Sequence, residues 1–242
     1  MTQPHRMCVK ERMMDRTRYK LLETYMLQCM EDSAHDREHV YRVLYAALLI
    51  AGQEENVDMD VLICACLLHD IGRAEQFANP KLCHAEVGGE KAYRFLLENG
   101  FDERYADHVR DCIVSHRFRQ NRQPQTIEAK ILFDADKLDA AGAMGVARTL
   151  LYQGYVGEPL YHISNDGRLL DGEEDISHSF FHEYKFKLEK LYDRFYTNYG
   201  KELAAQREKS AIRFYHALLQ EARQTHEGGS SILQVLLRER EE

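Results

Sequence analysis

A histidine followed by an aspartate, His69-Asp70, closes the apolar run Val61-Leu62-Ile63-Cys64-Ala65-Cys66-Leu67-Leu68. Read as a helix, the run puts His69 on a face with Leu62, Ala65 and Cys66, and Asp70 on a face with Ile63 and Cys66. An imidazole and a carboxylate are then carried together into an apolar interior. A buried carboxylate is costly unless a cation or hydrogen-bond donors meet it. A divalent cation would meet it and use the imidazole as well. A capped or salt-bridged helix end would explain the pair equally well, so its company decides.

That company lies on two further segments. In Asp36-Arg37-Glu38-His39, followed by Val40, Val43, Leu44, Ala47, Leu48 and Ala51, the apolar residues recur at helical spacing, with Asp36 as start signal and Gly52 as stop. His39 lies beside this stripe and Arg42 follows one turn later. In Thr126 to Ala140, Thr126 suits an N-cap and Glu128 the first turn. Asp136 shares a face there with Ala129, Leu132, Phe133 and Ala140, so it points toward the core.

Asp-x-x-His39-x-x-Arg-Val, His69-Asp70 after an apolar helix, and Asp136 in Ala-Asp-Lys-Leu-Asp-Ala together resemble the HD-domain superfamily of metal-dependent phosphohydrolases. The order and spacings match from about Thr17 to Leu150, and Tyr152 to Glu221 is similar to the C-terminal extension of a bacterial branch of small stand-alone members. Some of that branch resemble nucleotide pyrophosphohydrolases. The resemblance implies an all-α HD-domain helical bundle with a C-terminal helical extension. It also implies His39, His69, Asp70 and Asp136 as ligands of a divalent metal ion. Two imidazoles and two carboxylates suit Mn, Mg, Fe, Co, Ni or Zn, and ligand type does not choose among them.

His84 opens a helix whose next turn carries Gly88 and Gly89, which would let another backbone approach closely; His116 closes Val109 to Ser115 on a face with Val109, Cys112 and Ile113. By resemblance the two histidines line the active site, either as ligands of a second ion or as groups that contact phosphate or move a proton. Arg73 stands where some HD nucleotidases carry an acid, a departure that weakens transfer of their mechanism. Arg73 and Lys137 are candidate phosphate contacts, since a guanidinium fork matches phosphate oxygens. The implied chemistry is metal-assisted hydrolysis of a phosphate ester or phosphoanhydride, with a nucleotide as substrate class. Asp70, His84 and His116 would manage protons and Arg73 and Lys137 would offset developing charge. The alternative is a non-catalytic regulatory module that binds metal and nucleotide.

The whole chain fits that picture. Its 242 residues are enough for a sizeable core, and Lys+Arg 32 against Asp+Glu 40 gives a net charge of −8. That balance argues against a nucleic-acid-coating role, although Arg117 to Arg122 forms a local basic stretch. The six cysteines, Cys8, Cys29, Cys64, Cys66, Cys83 and Cys112, include no CxxC pair and are expected as reduced thiols. Met1 to Arg18 lacks the apolar centre of a signal peptide, and no apolar run approaches a membrane span, so the expected location is cytoplasmic.

Helices are expected near 16–32, 36–52, 58–71, 84–98, 102–116, 126–150, 179–198 and 200–226. The expected layout is an HD core over 17–150, a lid-like loop plus two helices over 151–226, and a flexible tail over 227–242 that begins at Gly228-Gly229-Ser230-Ser231. Phe181, Tyr184, Leu188, Leu191, Tyr192 and Phe195 form an aromatic stripe for packing or for a homodimer surface.

Overall fold

The computed structural model describes residues 14–30, 37–117, 122–175 and 177–238. The start signal Asp36, the centre of the basic stretch and Cys8 lie outside them. Among the described residues the fold is all helical, with one isolated antiparallel bridge between Ile163 and Leu169. None of these helices is long and apolar enough to cross a membrane. The chain forms two compact units, Met1–Asp136 and Lys137–Glu242, where the sequence placed the core boundary at residue 150.

The first unit holds α1 (Arg16–Met30), α2 (Arg37–Ala51), α3 (Met59–Leu68), α4 (Arg73–Ala78), α5 (His84–Glu98), α6 (Glu103–Ser115) and most of α7 (Ile127–Asp139). Its centre is α3, apolar all round and buried along most of its length, packed against α1, α2 and α6. Local chemistry sets its start: the Asp58 side chain accepts from the backbone N–H groups of Asp60 and Val61. Asp102 does the same for α6, and Thr126 Oγ1 accepts from Ala129 N at the start of α7. Gly52 ends α2 as expected.

A salt bridge ties three of these elements together. Glu128 of α7 accepts from Asp58 N at 2.8 Å through Oε1, while Oε2 lies 3.1 Å from His108 Nε2 of α6. Burial pushes the Glu128 carboxyl up, but the bonds from His108 and the backbone outweigh it and hold its pKa at about 2.

Glycines set the spacing around α5. A Cβ at Gly72 would lie 2.3 Å from the His84 carbonyl oxygen and 2.6 Å from Gly88 N. One at Gly89 would lie 2.7 Å from a Val114 methyl of α6. The turn after Asp70 therefore touches the backbone of α5 directly, which holds His69-Asp70 and His84 close together. The backbone approach expected here is present at Gly88, which Gly72 N meets, whereas Gly89 is met first by the Val114 side chain.

The second unit holds α8 (Gly142–Val156), α9 (Phe180–Glu183) running into a π-helical turn (Tyr184–Leu188), and α10 (Asn198–Arg238). The aromatic stripe is interior packing: Phe181, Tyr184 and Leu188 are buried, and Tyr184 stacks on Tyr215 at 4.1 Å between ring centroids. Tyr161 stacks on Phe181 at 5.8 Å between ring centroids. Three expectations differ from the structure. The helix expected over 126–150 breaks between Asp139 and Gly142. The one expected over 179–198 is a short α-helix, a π-turn and a non-helical stretch. The Gly-Gly-Ser-Ser run, read as the start of a tail, continues α10 as helix to Arg238.

Gly72→Ala should lower stability by about 2 kcal/mol, because the new methyl meets backbone rather than a side chain that can swing aside. Gly154→Ala, in open space within α8, should be neutral or mildly stabilising. Urea midpoints of the two variants check both; equal midpoints would refute the contact.

Candidate metal centre

His69 caps the C-terminus of α3, and its Nδ1 lies 2.8 Å from the Cys66 carbonyl oxygen. A carbonyl only accepts, so Nδ1 carries the proton and Nε2 presents a lone pair. Burial lowers the pKa of this imidazole, so it is neutral at pH 7. His39 of α2 brings its Nε2 to 3.3 Å from that lone pair and to 3.4 Å from Asp70 Oδ2.

Asp70 divides its two oxygens. Oδ1 accepts from Arg73 Nε at 2.9 Å, whereas Oδ2 is buried without a hydrogen-bond partner. Burial pushes the carboxyl up, yet its neighbours His69, Arg73 and His39 hold its pKa well below the usual range. The group is therefore an anion with one oxygen unanswered. Asp136 on α7 adds Oδ1 at 3.3 Å from His39 Nε2 and 4.0 Å from His69 Nε2. Its side chain is 25% exposed where those of His39, His69 and Asp70 are at most 4%, so the cluster reaches solvent on the Asp136 side.

A second cluster shares Asp70. His84 Nε2 lies 3.4 Å from Asp70 Oδ1 and 3.3 Å from His116 Nε2. Its Nδ1 meets Gln76 Oε1 at 2.7 Å, and Gln76 donates its amide to the Leu82 carbonyl, which fixes Oε1 toward the ring. Nδ1 of His84 must then be the donor. Arg117 approaches the same place, 3.4 Å from Gln76 Oε1 and 3.0 Å from His84 Nδ1. The shorter bond with a fixed acceptor decides the tautomer, and the Arg117 contact to Nδ1 is close packing of two donors. His116 caps α6 and directs Nδ1–H to the Ile113 carbonyl, as His69 does to Cys66. Burial and Arg73 lower the His84 pKa to about 2, and burial and His69 lower that of His116 to about 4.

Two overlapping donor sets result: His39, His69 and Asp70, and Asp70, His84 and His116, each with its ligand atoms within 4.8 Å of one another. Imidazole nitrogens, those of His69, His84 and His116 neutral, and an unanswered carboxylate oxygen face each other in a buried space. That donor set fits a divalent cation, which would replace the mutual repulsion of lone pairs with coordination.

The structure thus brings together His39, His69, Asp70, Asp136, His84 and His116. Arg73 commits its Nε–H to Asp70, leaving its terminal NH₂ groups for an anion. Lys137 is the first residue of the second unit, half-buried and engaged within the protein. Gln76, Arg117 and the Cys66 and Ile113 carbonyls were not foreseen. A histidine at a helix end with a carbonyl three residues back signals the two carbonyls; no local pattern marks Gln76 or Arg117. Burial pushes the thiol pKa of Cys64 and Cys112 up to about 12, as expected for small core residues.

Residues 37–141 match the HD domain family. The chain is 33% identical over 193 residues to the uncharacterized protein YpgQ of Bacillus subtilis, covering 78% of this chain and 84% of that one. The crystal structure of YpgQ in complex with ADP superposes with a TM-score of 0.65 at 26% identity, covering 85% of this chain and 95% of that one. An HD-superfamily hydrolase from Bacillus thuringiensis gives 0.64 at 28% identity, covering 85% and 97%. With every residue of both donor sets inside the matched segment, the chain belongs to the HD-domain family, among stand-alone bacterial proteins like YpgQ.

The buried histidines make metal-free stability depend on pH. Their folded pKa values lie below the unfolded value of about 6.5, so the unfolded chain binds protons first as pH falls. The stabilisation is full above about 6.5 and is lost as pH drops from there toward 4. Urea titrations between pH 7.5 and 5 should show falling stability, with a shallower slope for His116→Gln. An unchanged slope would contradict the assignment.

Proposed function

We propose that the protein is a divalent-metal-dependent phosphohydrolase that cleaves a phosphate ester or phosphoanhydride of a nucleotide. The observation that carries this reading is the buried, unpartnered Asp70 Oδ2, faced by the Nε2 atoms of His39 and His69. The kinship with HD-superfamily hydrolases supports hydrolysis, and the ADP bound to YpgQ supports a nucleotide.

His39, His69, Asp70 and Asp136 would hold the ion, with Mn, Mg, Fe, Co, Ni and Zn all compatible with the donor set. A bound divalent ion lowers the pKa of a coordinated water and polarises a phosphoryl oxygen. The protein's own groups do the rest. Arg73 orients Asp70 through Oδ1, which keeps Oδ2 aimed at the ion, and turns its terminal nitrogens to a phosphate. His84 and His116 stay neutral and offer lone pairs, so they accept a proton from the attacking water or receive the second ion. The partial exposure of Asp136 gives the substrate its approach.

Metal-stripped protein should gain turnover of nucleoside mono-, di- or triphosphates on addition of Mn²⁺, Mg²⁺, Co²⁺ or Ni²⁺, with the released orthophosphate or pyrophosphate naming the bond cut. Asp70→Ala should lower that turnover by at least about a hundredfold. His39→Ala, which leaves the Arg73–Asp70 pair intact, should do the same if Asp70→Ala fails to fold. Tight nucleotide binding without turnover under any metal would favour a regulatory module instead.

A further inference from the structure

A second concentration of charge lies wholly within the second unit. A cavity of about 240 Å³ there is lined by Lys137, Lys187, Lys190 and Arg194, with Leu188 and Leu191 among its apolar walls. None of its lining residues is acidic, in a chain whose acids outnumber its bases 40 to 32. Half of this lining is thus cationic, against the overall trend of the molecule.

The cations are held in different ways. Lys187 pairs with Glu183, and Lys190 Nζ lies 4.8 Å from the centre of the Phe186 ring. Phe186 also packs against His182 at 4.4 Å between ring centroids, so the ring supports Lys190 rather than offering a bare face to a flat ligand. Arg194 is exposed and makes no ion pair among the described residues. Like charges gathered in a concave, half-apolar pocket raise the local potential and favour a small anion of several charges. Guanidinium and ammonium donors match phosphate oxygens, and several cations side by side suit a condensed phosphate better than a single carboxylate.

We propose that this cavity is a binding site for a condensed phosphate, either free pyrophosphate or the diphosphate end of a nucleotide, independent of the metal centre. Its test needs no catalysis, so it stands or falls separately from the phosphohydrolase reading.

The full chain, freed of divalent ions, is titrated calorimetrically with pyrophosphate and with ADP at low and high salt. At least one probe should bind, more tightly at low salt. Lys190→Ala/Arg194→Ala should weaken binding by about tenfold or more, with the helical circular dichroism unchanged. Lys201→Ala, which removes an exposed cation of α10 outside the cavity, should leave it unaltered. Tighter binding of pyrophosphate would name the free anion as ligand; tighter binding of ADP would name the nucleotide. Binding of neither probe, binding untouched in the double variant, or an equal loss in Lys201→Ala would overturn the proposal.

Discussion

Lone pairs that face one another in a dry pocket need positive charge between them. His39 Nε2, His69 Nε2 and Asp70 Oδ2 lie 3.3 to 3.7 Å apart, and all three residues are buried. Burial keeps the His69 ring neutral, while its neighbours keep Asp70 ionised. The arrangement is thus stable with a cation present and costly without one. Much of the first unit follows from that constraint.

Four of the six candidate ligands are locked from behind. Backbone carbonyls three residues earlier fix the tautomers of His69 and His116, and Gln76 fixes that of His84. Arg73 fixes one oxygen of Asp70. The backbone contact of Gly72 with α5 then sets how near the two clusters can come, since any side chain there would drive the turn and the helix apart. Orientation by outer partners is what gives metal-binding side chains their geometry. Here half of those partners are backbone carbonyls, so the centre depends on the fold as well as on the Gln76 and Arg73 side chains.

The candidate ligands were legible because chemistry and periodicity coincide at them: polar residues on apolar helix faces, in an order shared with a known family. Capping by Thr126 and the stop at Gly52 were legible because they are local. What escaped sequence reading depends on distant partners. The break after Asp139 is held by the Gly142 N–H on the Tyr192 hydroxyl, by Arg207 on the Leu138 carbonyl, and by Gly142 at φ 65°, with partners 50 and 69 residues away. Gly228 and Gly229 read as a linker by type, yet they lie within a helix of 41 residues whose neighbouring turns outweigh their low propensity. Gln76 joined the site only because the turn after α4 folds back to His84, which no short-range pattern announces.

The central claim is that a cation sits among the Nε2 atoms of His39 and His69 and the carboxylates of Asp70 and Asp136. A crystal grown with Mn²⁺ and measured at a wavelength where manganese scatters anomalously tests it most directly. The account predicts a peak at coordination distance, about 2.2 Å, from His39 Nε2, His69 Nε2 and Asp70 Oδ2, with Asp136 drawn in beside them. Saturating Mn²⁺ with no peak among these four residues would contradict it.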